Sequence, residues 1–182
     1  MDVFEPFTPI HALAFAGVAA AAWLFAAVGR RTPAPTSLER GFAIANLAIW
    51  IAAHGWWILP PQLDPATTLP LQLCHITAVV ASLVLLTRRH ALRVLLYFWG
   101  FALSTQAILT PTLTDPPTSL WFWAFWAQHG FVLVVAVYDF AVLGFRPAWR
   151  DYWFACRMTF LYGLAMLPVN LTLGANYGFV GN

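Results

Sequence analysis

The stretch LPLQLCHIT, Leu69 to Thr77, sets a glutamine, a cysteine, a histidine and a threonine into a turn and a half of an otherwise apolar run. A thiol and an imidazole are the parts of nucleophilic acyl chemistry, in which a thiolate attacks and a neighbouring base takes its proton. Pro70 favours the first turn of a helix, so Cys74 falls where the positive end of the helix dipole favours an anion. Cys74 and His75 are about 100° apart on a helix and cannot face the same point. The base must therefore come from another helix, which leaves His129 or His54. Side-chain amides at Gln72, Gln106, Gln128 and Asn170 are candidate oxyanion donors or head-group contacts. A metal site would need imidazoles and thiolates in tetrahedral reach. The sequence has no HxxxH or CxxC spacing, so neither a metal nor another cofactor is expected. The plainer alternative is that each polar group is interhelical glue, worth around 0.6 kcal/mol, and that Cys74 is a small buried apolar residue.

The elements that must position these groups follow from composition. Of 182 residues, 61% are hydrophobic and 9% charged, with a mean hydropathy of +0.72, whereas about a quarter of residues are charged in a soluble domain. Runs long enough to cross about 30 Å of hydrocarbon occur at 10–28, 41–59, 70–87, 92–109, 119–143 and 153–173. Each is bounded by charge or proline, as in RRTPAPTSLER, PPQLDPATT and PTLTDPPT, stretches that separate helices. Runs such as HALAFAGVAAAAWLFAAVG are apolar all round and lack the alternation of a β-barrel strand. The expectation is an all-α, polytopic membrane bundle of six transmembrane helices in a single domain over 1–182. The leader MDVFEPF carries Asp2 and Glu5, unlike the basic leader of a secretory signal, so the first run is expected to remain as a helix.

Orientation follows from the cations. All nine basic residues are arginines, and they fall in three groups: Arg30, Arg31 and Arg40 after the first span, Arg88, Arg89 and Arg93 after the third, and Arg146, Arg150 and Arg157 after or just inside the fifth and sixth. The N-terminus, the loops at 60–69 and 110–118 and the C-terminal tail hold no arginine. The positive-inside rule therefore places the N-terminus outside. The arginines serve topology and anionic lipid, and no basic patch is left for nucleic acid. Trp56, Trp57, Trp121, Trp123 and Trp126 fall where an outer aromatic belt is expected.

This topology brings the polar residues to one depth. His54, the Gln72–His75 turn, Gln106, Gln128 with His129, and Asn170 all lie in the outer third, on five different spans, while the inner half of the spans holds Asp139. Polar groups in hydrocarbon are costly and by default mark function, and their convergence favours a site over scattered glue.

LPLQLCHI, YFWGFALSTQAILTPTL, FWAQHGFV and LPVNLTLGANY, read in order from Leu69 to Tyr177, resemble the YwaF family of bacterial integral membrane proteins, related to vertebrate transmembrane protein 164. The resemblance covers about the last three-fifths of the chain. It implies an all-helical membrane fold and a catalytic cysteine and histidine, which carry over to Cys74 in LPLQLC and His129 in AQHG. For the vertebrate relative it implies a lipid acyltransferase working through a cysteine acyl intermediate. The functional expectation is a cell-membrane, multi-pass lipid acyltransferase or lipid ester hydrolase, Cys74 attacking and His129 as base. His54, Gln72, His75, Gln106, Gln128 and Asn170 would contact a lipid substrate. The alternative is a non-enzymatic binder or transporter of a polar or lipid head group.

Overall fold

Residues 4–32 and 36–181 are described by the structure, a computed structural model; Asp2 lies outside them. Six helices follow one another: α1 (Pro9–Gly29), α2 (Ser37–Ile58), α3 (Leu73–Thr87), α4 (His90–Leu109), α5 (Leu120–Ala141) and α6 (Trp149–Leu173). Among the described residues there is no strand. Five of the helices are long and apolar enough to cross a membrane. The sixth, α3, has 15 residues, roughly 22 Å at the α-helical rise.

Local chemistry sets where the helices begin. Pro9 opens α1 behind Thr8, a position where its missing N–H costs nothing. Thr36 and Glu39 form a reciprocal capping box at the start of α2, the Thr36 hydroxyl accepting from the Glu39 amide at 3.2 Å. The third helix starts at Leu73, three residues later than the run beginning at Pro70 suggests. Residues 70–72 form a turn instead. Irregular backbone at membrane depth is tolerated only where protein covers it, and here the residues after α6 supply the cover, as described below.

The bundle is built around α5, the most buried of the five long helices, which packs against α1, α3 and α4. Its contact with α1 is close enough to demand glycine twice. A Cβ on Gly130 would stand 2.9 Å from Val18, and one on Gly29 would enter the Tyr138 ring. The middle of α4, Leu96–Ser104, is wound wide with i→i+5 bonding, a form that appears mainly as local insertions in α-helices. The outermost helix, α6, leans on α4, where the Trp99 indole donates to the Thr159 hydroxyl at 2.8 Å.

Antiparallel neighbours gather charge at one end. Arg88 at the end of α3 pairs with Glu39 at the start of α2 at 2.7 Å, and the Tyr138 hydroxyl donates to the same carboxylate. Arg93 binds both oxygens of Asp139, at 2.8 and 3.2 Å, and also donates to the Leu143 carbonyl. His90 meets Asp151 at 2.9 Å. Asp139 is thus one member of a lattice tying α2 to α3 and α5, and α4 to α5 and α6. His54, His75 and His129 collect at the other end.

Candidate functional site

Three imidazoles from three helices meet at the end of the bundle away from the arginines. His54 comes from the last turn of α2, His75 from the first turn of α3 and His129 from the middle of α5. Together with Gln128 and the loop residues Thr67 and Thr68 they line a cavity of about 380 Å³. The His54 and His75 rings meet edge to face with centroids 4.4 Å apart.

The backbone fixes which nitrogen of each ring faces the cavity. His54 donates from Nδ1 to the Trp50 carbonyl at 2.9 Å, and His129 donates from Nδ1 to the Phe125 carbonyl at 2.8 Å. A carbonyl can only accept, so in the neutral ring Nδ1 carries the hydrogen and Nε2 keeps the lone pair. Both rings are therefore set as proton acceptors. Their Nδ1 bonds run one helical turn back along their own helices, which places each ring without help from a second element. His75 differs: its Nδ1 is buried and no partner reaches it among the described residues.

Trp50 braces the pair. Its indole N–H donates to the His75 carbonyl at 3.1 Å, and its ring stacks on His54 at 4.5 Å and 27°. The sequence signal for Trp50 was its place one turn before His54, on the same face of α2. Trp57 and Trp121, expected in the outer aromatic belt, also line the cavity, with ring centroids 5.0 Å apart.

The cavity does not stand alone. Ala53, Ala124 and Gln128 line both it and a second, larger cleft of about 560 Å³ bounded by α1, α2 and α5. Gln128 thus stands where a polar chamber joins an apolar one. Half-buried, its amide makes no hydrogen bond among the described residues.

The remaining predicted site residues fall elsewhere, for clear reasons. Half-buried Cys74 does not line the cavity; as its 100° offset from His75 requires, it turns to the α6 side, beside Tyr162. The Tyr162 hydroxyl donates to the Leu71 carbonyl at 2.8 Å. Gln72 spends its whole amide on the chain after α6: Oε1 accepts from the Gly178 amide at 2.9 Å and Nε2 donates to the Asn176 carbonyl at 3.3 Å. Asn170 does likewise, its Nδ2 donating to the Tyr177 carbonyl at 2.9 Å and its Oδ1 accepting from the Tyr177 amide at 2.8 Å. Gln106 is exposed on α4.

Tyr177 completes this strap. Its hydroxyl accepts from the Leu69 amide at 3.0 Å and donates to the Pro65 carbonyl at 2.8 Å, and burial pushes its phenol above the ordinary value. Two of the four matching motifs, LPLQLC and LPVNLTLGANY, are therefore halves of one clamp. The sequence could mark Gln72 and Asn170 as unusual, but not whether their amides met a ligand or backbone.

His11, which the depth argument passed over, is also spoken for. Its Nδ1 accepts from the Phe7 amide and its Nε2 donates to the Ile108 carbonyl, both at 2.8 Å. Among the described residues, no group of three or more His, Cys, Asp or Glu is arranged to hold a metal ion. What the three-histidine cavity offers is two fixed lone pairs, an unspent amide and a wall shared with an apolar cleft, which suits an amphiphile with a polar group at one end.

Comparison with known proteins agrees with the membrane-bundle reading. The model of the TMEM164 family matches residues 5–182, and it is this family, rather than YwaF, that the match names. A protein of Treponema pallidum (strain Nichols), described as uncharacterized, is 32% identical over 145 residues, which is 78% of this chain and 60% of the relative. The chain thus spans about three-fifths of the length of that relative. No solved structure matches. With nearly its whole length matched, this multi-pass helical protein belongs to the TMEM164 family.

Proposed function

We propose that the protein transfers or hydrolyses an acyl ester of a membrane lipid, at a site opening to the outer leaflet of the cell membrane. The observation that carries this reading is the shared wall between the three-histidine cavity and the apolar cleft, which fits a substrate with an ester at one end and a chain at the other. On the covalent route the Cys74 sulfur, which must first turn from Tyr162 toward the cavity, attacks the ester carbonyl carbon while a histidine, His129 by preference, takes the thiol proton. The C–O bond then breaks, and the departing alkoxide takes that proton as the alcohol. An acceptor hydroxyl or water next attacks the thioester, the C–S bond breaks, and the thiol is restored. Only neutral imidazoles with free lone pairs can serve as the base, and His54 and His129 are set that way.

One observation favours a second reading. Cys74 lies beside Tyr162 and not on the cavity wall, which suits a direct transfer in which His129 activates the acceptor hydroxyl and no acyl-enzyme forms. The experiment compares wild type, Cys74→Ser and His129→Ala in lipid vesicles, following both ester turnover and a hydroxylamine-labile acyl group on the protein. Loss of both signals in Cys74→Ser supports the covalent route. Turnover kept in Cys74→Ser and lost in His129→Ala supports direct transfer. Turnover absent from wild type leaves a non-enzymatic lipid binder, and turnover equal in all three removes Cys74 and His129 as catalytic groups.

A further inference from the structure

The larger cleft is shaped like a slot. At the arginine end its floor is aromatic: the Phe42 ring meets Phe25 at 4.6 Å and Phe131 at 4.8 Å. From there α1 packs along α5 while α2 packs along α3, and the space between α1 and α2 opens toward the histidines. Along α2 the slot runs from Phe42 to Ala53, eleven residues or about 16 Å at the helical rise. Small side chains make the room, among them Ala14, Gly17 and Ala21 on α1 and Ala45 on α2. Gly17, Ala45 and Ile49 are exposed along the mouth, so the slot faces the hydrocarbon sideways.

We infer that this slot holds one acyl chain of a membrane lipid whose ester end lies among His54, His75 and His129, and that Phe42 sets the longest chain accepted. The inference rests on the proposed reading that the histidine cavity takes the ester. Three features select this occupant. No charged side chain lines the slot, which excludes a head group. The residues Ala53, Ala124 and Gln128 line both spaces, so the slot and the polar cavity adjoin, as a single molecule with a polar end requires. Phe42, packed on Phe25 and Phe131, marks the arginine-side end of the slot along α2, so a chain entering from the histidines meets it last. Its volume falls within the roughly 300–1,000 Å³ of small-molecule sites.

The test uses purified protein in phospholipid vesicles doped with diacyl phospholipids that carry a diazirine near the end of one acyl chain, in a series of chain lengths. After irradiation, labelled peptides are mapped. Wild type is expected to label at α1 and α2 near Ala21 and Phe42, with a sharp upper limit in chain length. Gly17→Phe adds a ring where a Cβ meets nothing within 4 Å, so it leaves the fold intact and shifts the profile toward shorter chains. Phe42→Ala shifts it toward longer chains; Phe42→Leu does so to a lesser degree if the alanine variant does not fold. Labelling spread evenly over the lipid-facing helices, α6 included, or a length profile unmoved by Gly17→Phe, overturns the inference. The labelling needs no turnover. Absence of turnover in wild type would sink the acyl-transfer reading while the length profile still decides the slot.

Discussion

His54 and His75 touch edge to face at 4.4 Å with Trp50 locked to both, stacked on the first ring and hydrogen-bonded to the backbone of the second. The pair is a joint between α2 and α3 as well as part of a cavity wall. Trp50 also lines the apolar slot, so one side chain contacts both that slot and the imidazole pair.

Trp50→Phe keeps a ring against His54 and removes the indole donor. The His75 carbonyl then loses a partner at its helix start, and the expected cost is about 1 kcal/mol of stability. The His54 side-chain NMR signals should move while those of His11 stay. Unfolding in detergent followed by circular dichroism reads the stability, and unchanged His54 signals would show that Trp50 does not position the ring.

Orientation can be read by reporter fusions. With all nine arginines at or near one set of helix ends, fusions after Leu63 and after Pro116 should report the outside and one after Arg89 the cytoplasm. A cytoplasmic signal after Pro116 would invert the site and place its mouth in the inner leaflet.

The Glu39–Arg88 pair is buried on the carboxylate side, and Tyr138 donates to the same group. Glu39→Gln leaves Arg88 without its counter-charge, and because the Arg88 side chain is 32% exposed and can turn to water, the expected loss is about 1.5–3 kcal/mol, that of hydrogen bonds to a charged group. The double variant Glu39→Gln with Arg88→Gln should recover part of that loss. Thermal unfolding of the two singles and the double measures the coupling; additive losses would mean that the pair contributes nothing as a pair.

Gln72→Leu tests the strap. It keeps the volume of the side chain and removes both bonds to residues 176 and 178, for an expected loss of about 1–3 kcal/mol. Protease cleavage within the 60–72 segment should quicken, while hydrogen exchange at the arginine end should hold. Equal loosening at both ends would argue that Gln72 supports global stability and not the local seat of α3.

Composition and charge made the bundle legible, because a chain this apolar with breaks at proline and arginine has few other ways to satisfy its backbone in lipid. The convergence of His54, His75, Gln128 and His129 was also within reach, since helical rise and alternating direction place them at one level. Facing was not. Whether Gln72 and Asn170 point at a ligand or at the chain after α6 depends on a contact across more than a hundred residues for the first and on the turn after Gly174 for the second. The late start of α3 has the same origin, for nothing local to Pro70 announces that Tyr177 will hold the turn ahead of it. The apolar slot was invisible as well, because Gly17 and Ala45 read as ordinary members of apolar helices until α1 and α2 are seen to part.

The clamp between Gln72 and Gly178, 106 positions apart in sequence, also imposes a schedule. A ribosome making this chain finishes the first turn of α3 long before it makes the residues that hold it, so the nascent protein must pass through insertion of α4, α5 and α6 with that turn untethered. A cell that monitors unfinished membrane proteins could therefore read the 65–72 segment as a completion mark, accessible during synthesis and covered once Tyr177 has docked.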